Sequence, residues 1–244
     1  MSILLRLKTS LYRAHYRFFS QRKYRAASCR NAEFILCPEN YVDRRIWVEG
    51  IYEPQQIQTM LDYAAQYTPD MFLDIGGNIG LYTNIIGRNT NIPVIHTFEC
   101  DPRNLAMLRA HIHMNKLAQR TVLHEYAVGE DDGEIDLYMA ANSNTGKSSV
   151  VAASTKDHQV HKVRLRKIDN VLDAKNQTIL IKMDIEGYEK FALRGMQNIL
   201  VGNKCILQVE ILPNSQGEET QALLQKAGFQ MIKNIEHDYY FKNF

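Results

Sequence analysis

The chain has 244 residues, 45% of them hydrophobic, and a formal net charge of +2. That is material for one well-cored domain with at most a small appendage, and no stretch is apolar for long enough to span a membrane as a helix. The four cysteines, Cys29, Cys37, Cys100 and Cys205, stand apart without C-x-x-C or Cys/His ligand spacing, so neither a zinc site nor a disulfide framework is indicated and a cytoplasmic, reducing setting is expected.

The near-neutral total hides an asymmetry. Residues 1–30 carry eight Lys/Arg and no acid, so that the rest of the chain stands at −6. At helical spacing Leu4, Leu7, Leu11, Ala14 and Phe18 share one face and Arg6, Arg13 and Arg17 the other. Residues 1–30 therefore read as a basic amphipathic arm ahead of a domain over residues 31–244. Three readings fit the arm: a helix lying on an anionic membrane surface, peripheral on its inner face; a helix packed on its own domain or on a partner; or an Arg-rich, acid-poor transit peptide. It lacks the long apolar segment and small-residue cleavage site of a secretory signal.

Residues 31–68 read as a leading helix and loop covering one end of a sheet. Met71 to Ile75 is an apolar run before glycines, Leu81 opens a helix, and Val94 to Phe98 is a second run closed by Glu99, which together make a βαβ unit. Pro102 opens a helix to about Asn115, with Leu105, Leu108 and Ile112 on one face, and Thr121 to Tyr126 supplies a third strand. Further strands are predicted at Ile135 to Met139, Val160 to Leu165, Ile179 to Met183, Cys205 to Ile211, Phe229 to Ile235 and Tyr239 to Phe241, with helices near Phe191 to Leu200 and Glu218 to Ala227. The alternation predicts a doubly wound α/β sheet.

Ligands of such sheets bind at the carboxyl ends of the strands, where strand order reverses. Starting from Gly76, a dinucleotide fingerprint would need glycine where Asn78 and Leu81 stand. The pattern is instead Asp74-x-Gly76-x-Asn78-x-Gly80. A carboxylate there suits a cationic ligand better than a pyrophosphate, and S-adenosylmethionine carries a sulfonium and an ammonium. Gly76 and Gly80 would let the backbone approach its methionyl part, and Asp74 could anchor its ammonium directly or through water. Glu99, at the next strand end, is placed to take both ribose hydroxyls.

Three segments in order, "FLDIGGNIGLYT", "FECDP" and "IKMDIEGYE", resemble the FkbM family of S-adenosylmethionine-dependent methyltransferases, and the resemblance runs from about Trp47 to Pro213, including "EGIYEP" (Glu49 to Pro54). It implies a class I methyltransferase (Rossmann-like) fold, whose mostly parallel seven-stranded sheet has an antiparallel last strand. It also implies methyl transfer, most often to a hydroxyl of a sugar or a polyketide-like natural product. Cys100 stands where the second motif more commonly has proline.

In the third motif carboxylates converge. Asp184 ends a strand, Glu186 follows, Gly187 permits a tight turn and Glu189 begins a helix. Transfer from sulfur to oxygen needs the acceptor hydroxyl positioned and its proton removed, so Asp184, then Glu186, are the candidate base or acceptor-orienting groups. Glu189 and Glu210 are candidate substrate contacts, with helix-terminal and surface roles as their alternatives. Lys182 can pair with an acid or be structural. A divalent cation between Asp184, Glu186 and Glu210 is conceivable, but three acids at strand ends do not make a site, and no metal is expected. Gly146-Lys147-Ser148 ends like a phosphate loop, yet Ala141 stands where its first glycine belongs; a surface loop covering the substrate cleft is the better reading. The histidines are dispersed, and no nucleic-acid motif accompanies the basic arm. The expected enzyme is an O-methyltransferase acting on a sugar, glycan or glycolipid hydroxyl. The alternative is a catalytically silent binding protein of the same fold, or an RNA-binding protein using its arm.

Overall fold

The computed structural model describes residues 23–140, 142–151 and 159–244. Its centre is a seven-stranded sheet of β3 (Met71–Ile75), β4 (Val94–Phe98), β5 (Thr121–His124), β9 (Thr178–Met183), β10 (Lys204–Glu210), β11 (Gln230–Ile235) and β12 (Asp238–Lys242). The order across it is β11-β12-β10-β9-β3-β4-β5. Strands β10, β9, β3, β4 and β5 run parallel, and β12, last in the chain, lies antiparallel between β10 and β11. The chain builds outward from β3 to β5, then crosses back to β9 on the other side. The reversal of strand order therefore falls between β3 and β9, and Asp184 N–H donates to Ile75 O there (3.0 Å).

The central strands are apolar at nearly every position because both faces are covered. Leu73, Ile75, Ile181, Met183 and Leu207 face the short helices α5 (Glu189–Arg194) and α6 (Gln197–Gly202). Phe72, Ile95, Leu180 and Ile206 face α1 (Tyr41–Glu49), α2 (Pro54–Tyr67) and α3 (Leu81–Asn89). Local signals set the helix ends: Asn40 caps α1 by accepting from Val42 N–H, and Asp101 caps α4 (Pro102–Met114) by accepting from Arg103 N–H, with proline in its first turn. Asn214 does the same for α7 (Ser215–Lys226).

Four expectations need correction. Residues 25–30 do not belong to a helical arm: β1 (Arg25–Cys29) pairs antiparallel with β2 (Ala32–Leu36), and Arg30 and Asn31 both take positive φ, as a two-residue hairpin turn requires. The proposed apolar face from Leu4 to Phe18 lies outside the described residues. Residues 31–68 accordingly contribute a strand and two helices rather than one helix and a loop. The predicted strands near 135–139 and 160–165 exist as β7 (Gly133–Met139) and β8 (Gln159–Arg166), but with β6 (Ala127–Val128) they form a separate three-stranded sheet. The single helix expected near 191–200 is broken into α5 and α6 at Gly195, whose backbone packs against Gly129 too closely to admit a side chain. Among the described residues no helix is long and apolar enough to cross a membrane.

The hairpin is fastened through α4. Asn115 accepts from Glu33 N–H (2.7 Å) and donates to Glu33 O (2.8 Å). His111, fully buried, accepts from Ile35 N–H at Nε2 (2.9 Å) and donates from Nδ1 to Ile79 O (2.7 Å), which ties the hairpin to the loop after β3. That pattern requires a neutral ring, and burial lowers the His111 pKa. His111→Phe should cost about 2–4 kcal/mol, since two backbone groups lose their partner. With the folded pKa below the unfolded value of about 6.5, the histidine's contribution is complete above that pH and is lost as pH falls through it. Urea unfolding at about pH 7.5 and about pH 5 should show the gap between natural protein and variant narrowing in acid; a gap independent of pH would contradict the assignment.

Candidate active site

The loop from β3 to α3 and the end of β4 form one wall of a cleft. Gly76 and Gly77 N–H both donate to Phe98 O (3.0 and 2.9 Å), pinning the loop to β4. Gly76 (φ 84) and Gly80 (φ 85) are left-handed, and both are obligatory for packing as well. A Cβ at Gly76 would run into the Asp184 carbonyl, and one at Gly80 into Leu108 of α4. Gly76 lines the cleft, as do Asn78 and Glu99, but Gly80 lies behind it and serves the close approach of α4. Asn78, left-handed at φ 50, donates its N–H to Glu99 Oε2 (2.8 Å). Glu99 Oε1 accepts from the N–H groups of Cys100 and Asp101 (2.7 Å each). Burial raises the Glu99 pKa against these hydrogen bonds. Three of about four lone-pair sites are thus taken, which leaves room for one further donor at Oε2 rather than the two expected.

Asp74 does not reach the cleft. Fully buried beneath the loop, it accepts at Oδ2 from Thr83 N–H (3.0 Å) and Oγ1 (2.6 Å) in the first turn of α3. It braces the loop from beneath, and its Oδ1 has no hydrogen-bond partner. Burial raises its pKa, opposed by the charge of Lys182.

The opposite wall follows β9. Lys182, 5% exposed, donates to Gly76 O (3.1 Å) and pairs with Asp184 Oδ2 (3.4 Å). Burial works against its charge, but Asp184, Asp74 and Glu53 outweigh it and raise its pKa. Asp184 and Glu186 line the cleft. Glu186 is left-handed (φ 53), and burial together with the charge of Asp184 lifts its pKa to about 7. Glu189, expected to touch substrate, points away: its Oε1 accepts from Ile185 and Gly187 N–H (3.1 Å each) and holds the 185–187 turn closed. Glu210 is also not part of the lining; burial and the charges of Asp184 and Glu186 raise its pKa. Among the described residues no three His, Cys, Asp or Glu side chains converge in a way that could hold a metal ion.

The cleft and its opening to solvent together hold about 920 Å³ of empty space. Its roof is the segment at 142–151, where Gly146, Ser148 and Ser149 line it. Asn40 donates to Thr145 Oγ1 (2.6 Å), Ser148 to Asp101 Oδ2 (2.8 Å) and Ser149 to Glu186 O (2.8 Å), so this loop is tied to the caps of α1 and α4 and to the turn after β9. Glu53 and Tyr52, which sequence reasoning did not single out, complete the lining; a Glu-Pro pair reads as an ordinary helix start. Burial and the charges of Asp184 and Asp238 raise Glu53 to about 7. Two histidines taken as dispersed meet across neighbouring strands: His96 Nδ1 and His124 Nε2 are 2.8 Å apart, with Tyr126 on the far nitrogen of His124. Glu189→Ala should free two N–H groups of the turn that carries Asp184 and Glu186, costing about 2–3 kcal/mol and lowering the thermal midpoint by roughly 4–12 °C. An unchanged midpoint by calorimetry would contradict the clamp.

A model of the methyltransferase FkbM domain matches residues 74–231. Among solved structures, the chain resembles an FkbM methyltransferase from Methylobacillus flagellatus KT, at 20% identity and a TM-score of 0.51, over 71% of this chain and 43% of that one; it thus spans less than half the length of that protein. It also resembles M. jannaschii TYW2, crystallised with AdoMet (11% identity, TM-score 0.48, 92% and 86% covered). A third is a SAM-dependent O-methyltransferase from Thermotoga maritima (11% identity, TM-score 0.48, 86% and 72% covered). At 20% identity the first of these likenesses shows the fold alone. A comparison with curated proteins finds no match. The family model covers well over half of the chain, from within the first motif to beyond the third, and the chain belongs to the FkbM family of S-adenosylmethionine-dependent methyltransferases.

Proposed function

We propose that the cleft binds S-adenosylmethionine along the β3–β4 wall and a hydroxylated acceptor along the β9 wall, and that the reaction is O-methylation of a sugar, glycan or glycolipid hydroxyl. The observation that carries this reading is the placement of the Glu186 carboxyl, poised near neutrality, in the same cleft as the Gly76–Asn78 loop and Glu99. The residues present fit the cofactor. The charged lining is Glu53, Glu99, Asp184 and Glu186 against Lys182 alone, which favours a sulfonium and an ammonium and disfavours phosphate. Glu99 keeps acceptor capacity for one ribose hydroxyl, and Asn78 Oδ1 is buried without a partner.

When bound, S-adenosylmethionine supplies a methyl group on a cationic sulfur and leaves as S-adenosylhomocysteine. The chain's own part is positioning and proton removal. Glu186 accepts the hydrogen bond of the acceptor hydroxyl, takes its proton as the oxygen is methylated, and returns it to solvent; Asp184, held by Lys182, stands beside Glu186 and keeps its pKa raised. The roof at 142–151 limits the access of water. A base with a pKa near 7 is half ionised at neutral pH, where a general base adds about 10²–10⁴-fold.

Calorimetric titration should show one-to-one S-adenosylmethionine binding that Glu99→Gln weakens, because an amide offers one acceptor oxygen where three N–H donors and a ribose hydroxyl compete. With an acceptor found by screening glycans and glycolipids, kcat/KM should rise with pH to a plateau above about 7, since Glu186 must be ionised to act. Glu186→Gln should remove that limb and lower kcat roughly 10²–10⁴-fold. A well-folded protein that binds no S-adenosylmethionine would overturn the reading.

The eight basic residues among the first thirty support an acceptor presented at an anionic membrane surface. Co-sedimentation with phosphatidylserine vesicles, weakened by salt and absent with neutral lipid, is the expected result. Binding to oligonucleotides instead would favour the RNA alternative.

A further inference from the structure

We propose that Glu53 is a second acceptor-holding carboxylate, which grips a hydroxyl near the one that is methylated and so makes the acceptor of this enzyme a polyol. The inference rests on the methyltransferase reading and extends it to a segment that precedes residues 74–231, the part matched by the family model.

Glu53 stands at the N-terminus of α2, yet its side chain makes no capping hydrogen bond there. Its backbone is left-handed (φ 52, ψ 53) immediately before Pro54, where a side chain is strained and the following proline further disfavours helical geometry. That conformation places the carboxylate in the cleft. Glu186 and Asn78, also non-glycine and left-handed, line the same cleft.

The carboxylate is held in a fixed position. Tyr82 Oη donates to Glu53 Oε2 (2.8 Å), and Gln208 Nε2 reaches both Tyr82 Oη (3.2 Å) and Asp238 Oδ1 (2.8 Å). Gln56 Nε2 in turn donates to Asp238 Oδ2 (3.2 Å). Lys182, the cation of the cleft lining, pairs with Asp184 instead (3.4 Å). Of about four lone-pair sites on a carboxylate, Tyr82 fills one and the Tyr52 hydroxyl, hydrogen-bonded to the same carboxylate, a second, which leaves about two. A group so oriented, desolvated and short of donors is matched by a ligand that brings hydroxyl donors. With Glu186 addressing one hydroxyl and Glu53 another, the spacing of hydroxyls on a saccharide ring becomes a selection criterion.

The test needs no turnover. Natural protein loaded with S-adenosylhomocysteine is presented with methyl glycosides of hexoses, 6-deoxyhexoses and N-acetylhexosamines, and binding is read by saturation-transfer NMR. Glu53→Gln should weaken the best glycoside by about 10- to 100-fold, the worth of a hydrogen bond to a charged group, with S-adenosylhomocysteine affinity by calorimetry unaltered. Tyr82→Phe, which keeps the carboxylate but frees its orientation, should weaken it less. A deoxy analogue lacking the hydroxyl bound by Glu53 should bind natural protein and Glu53→Gln alike. Equal glycoside affinity in natural protein and both variants would overturn the proposal, as would S-adenosylhomocysteine-loaded natural protein that binds none of the glycosides. Failure to bind S-adenosylhomocysteine at all would instead overturn the methyltransferase reading beneath it.

Discussion

One buried ammonium joins the two halves of the site. Lys182 sits on β9 directly opposite Asp74 on β3 and Gln208 on β10, donates to the Gly76 carbonyl and pairs with Asp184, and lies over the Tyr82 ring at 5.3 Å. The loop after β3 and the turn after β9 are therefore referred to the same charge. Removing one partner of such a buried arrangement costs roughly 3–5 kcal/mol, because the remaining charges are left uncompensated. The register extends the same polar layer across five strands: Thr97, Asp74, Lys182, Gln208 and Tyr240 are successive neighbours, all buried. Thr97, Asp74, Gln208 and Tyr240 each retain a buried oxygen without a hydrogen-bond partner, and polar cavities of this kind are where ordered water is found. An otherwise apolar sheet has thus given up a row of packing at the strand ends nearest the cleft.

That layer explains the electrostatics above it. A single cation answers Asp74, Asp184, Glu53 and Asp238, and it is closest to Asp184. The carboxylates that it serves less well, Glu53 and Glu186, are the ones raised to about 7. Their elevation is a consequence of charge crowding under desolvation, and it leaves protons to be displaced when a cationic ligand arrives. Since each such ligand favours the ionised form, the cleft is set to take up positive charge and to release protons as it does so.

Much of this was legible in the sequence, for reasons that differ residue by residue. Met71 to Ile75, Val94 to Phe98 and Ile179 to Met183 could be read because strands buried on both faces are continuously apolar. Asp184, Glu186 and Glu99 could be placed because the βαβ rule puts strand ends at the ligand. What failed was long-range. Period-two alternation identifies β7 and β8 as strands but does not say which sheet they join. The arginines at 22–30 looked continuous with a helical arm, while the Arg30-Asn31 turn that makes a hairpin depends on two left-handed residues that only the fold reveals. Asp74 and Glu189 were assigned to ligands because they flank the right glycines; in three dimensions one oxygen of Glu189 holds two backbone N–H groups and one oxygen of Asp74 holds the N–H and hydroxyl of Thr83. A short carboxylate close in sequence to a tight turn finds those donors before it finds a ligand.

Glu53 shows the opposite failure. It sits where a helix-capping side chain belongs and does not cap, and nothing in local sequence distinguishes it from a glutamate that does. Its role emerges only when Tyr82 from α3, Gln208 from β10 and Asp238 from β12 are brought together around it. The wall proposed for the cofactor is built from one contiguous βαβ unit, in which spacing along the chain fixes spacing in space. The wall proposed for the acceptor draws on the segment before β3, the turn after β9 and the roof at 142–151, which are far apart in the chain and free to vary independently. For this fold the cofactor can be inferred from motifs, whereas the acceptor has to be read from tertiary contacts.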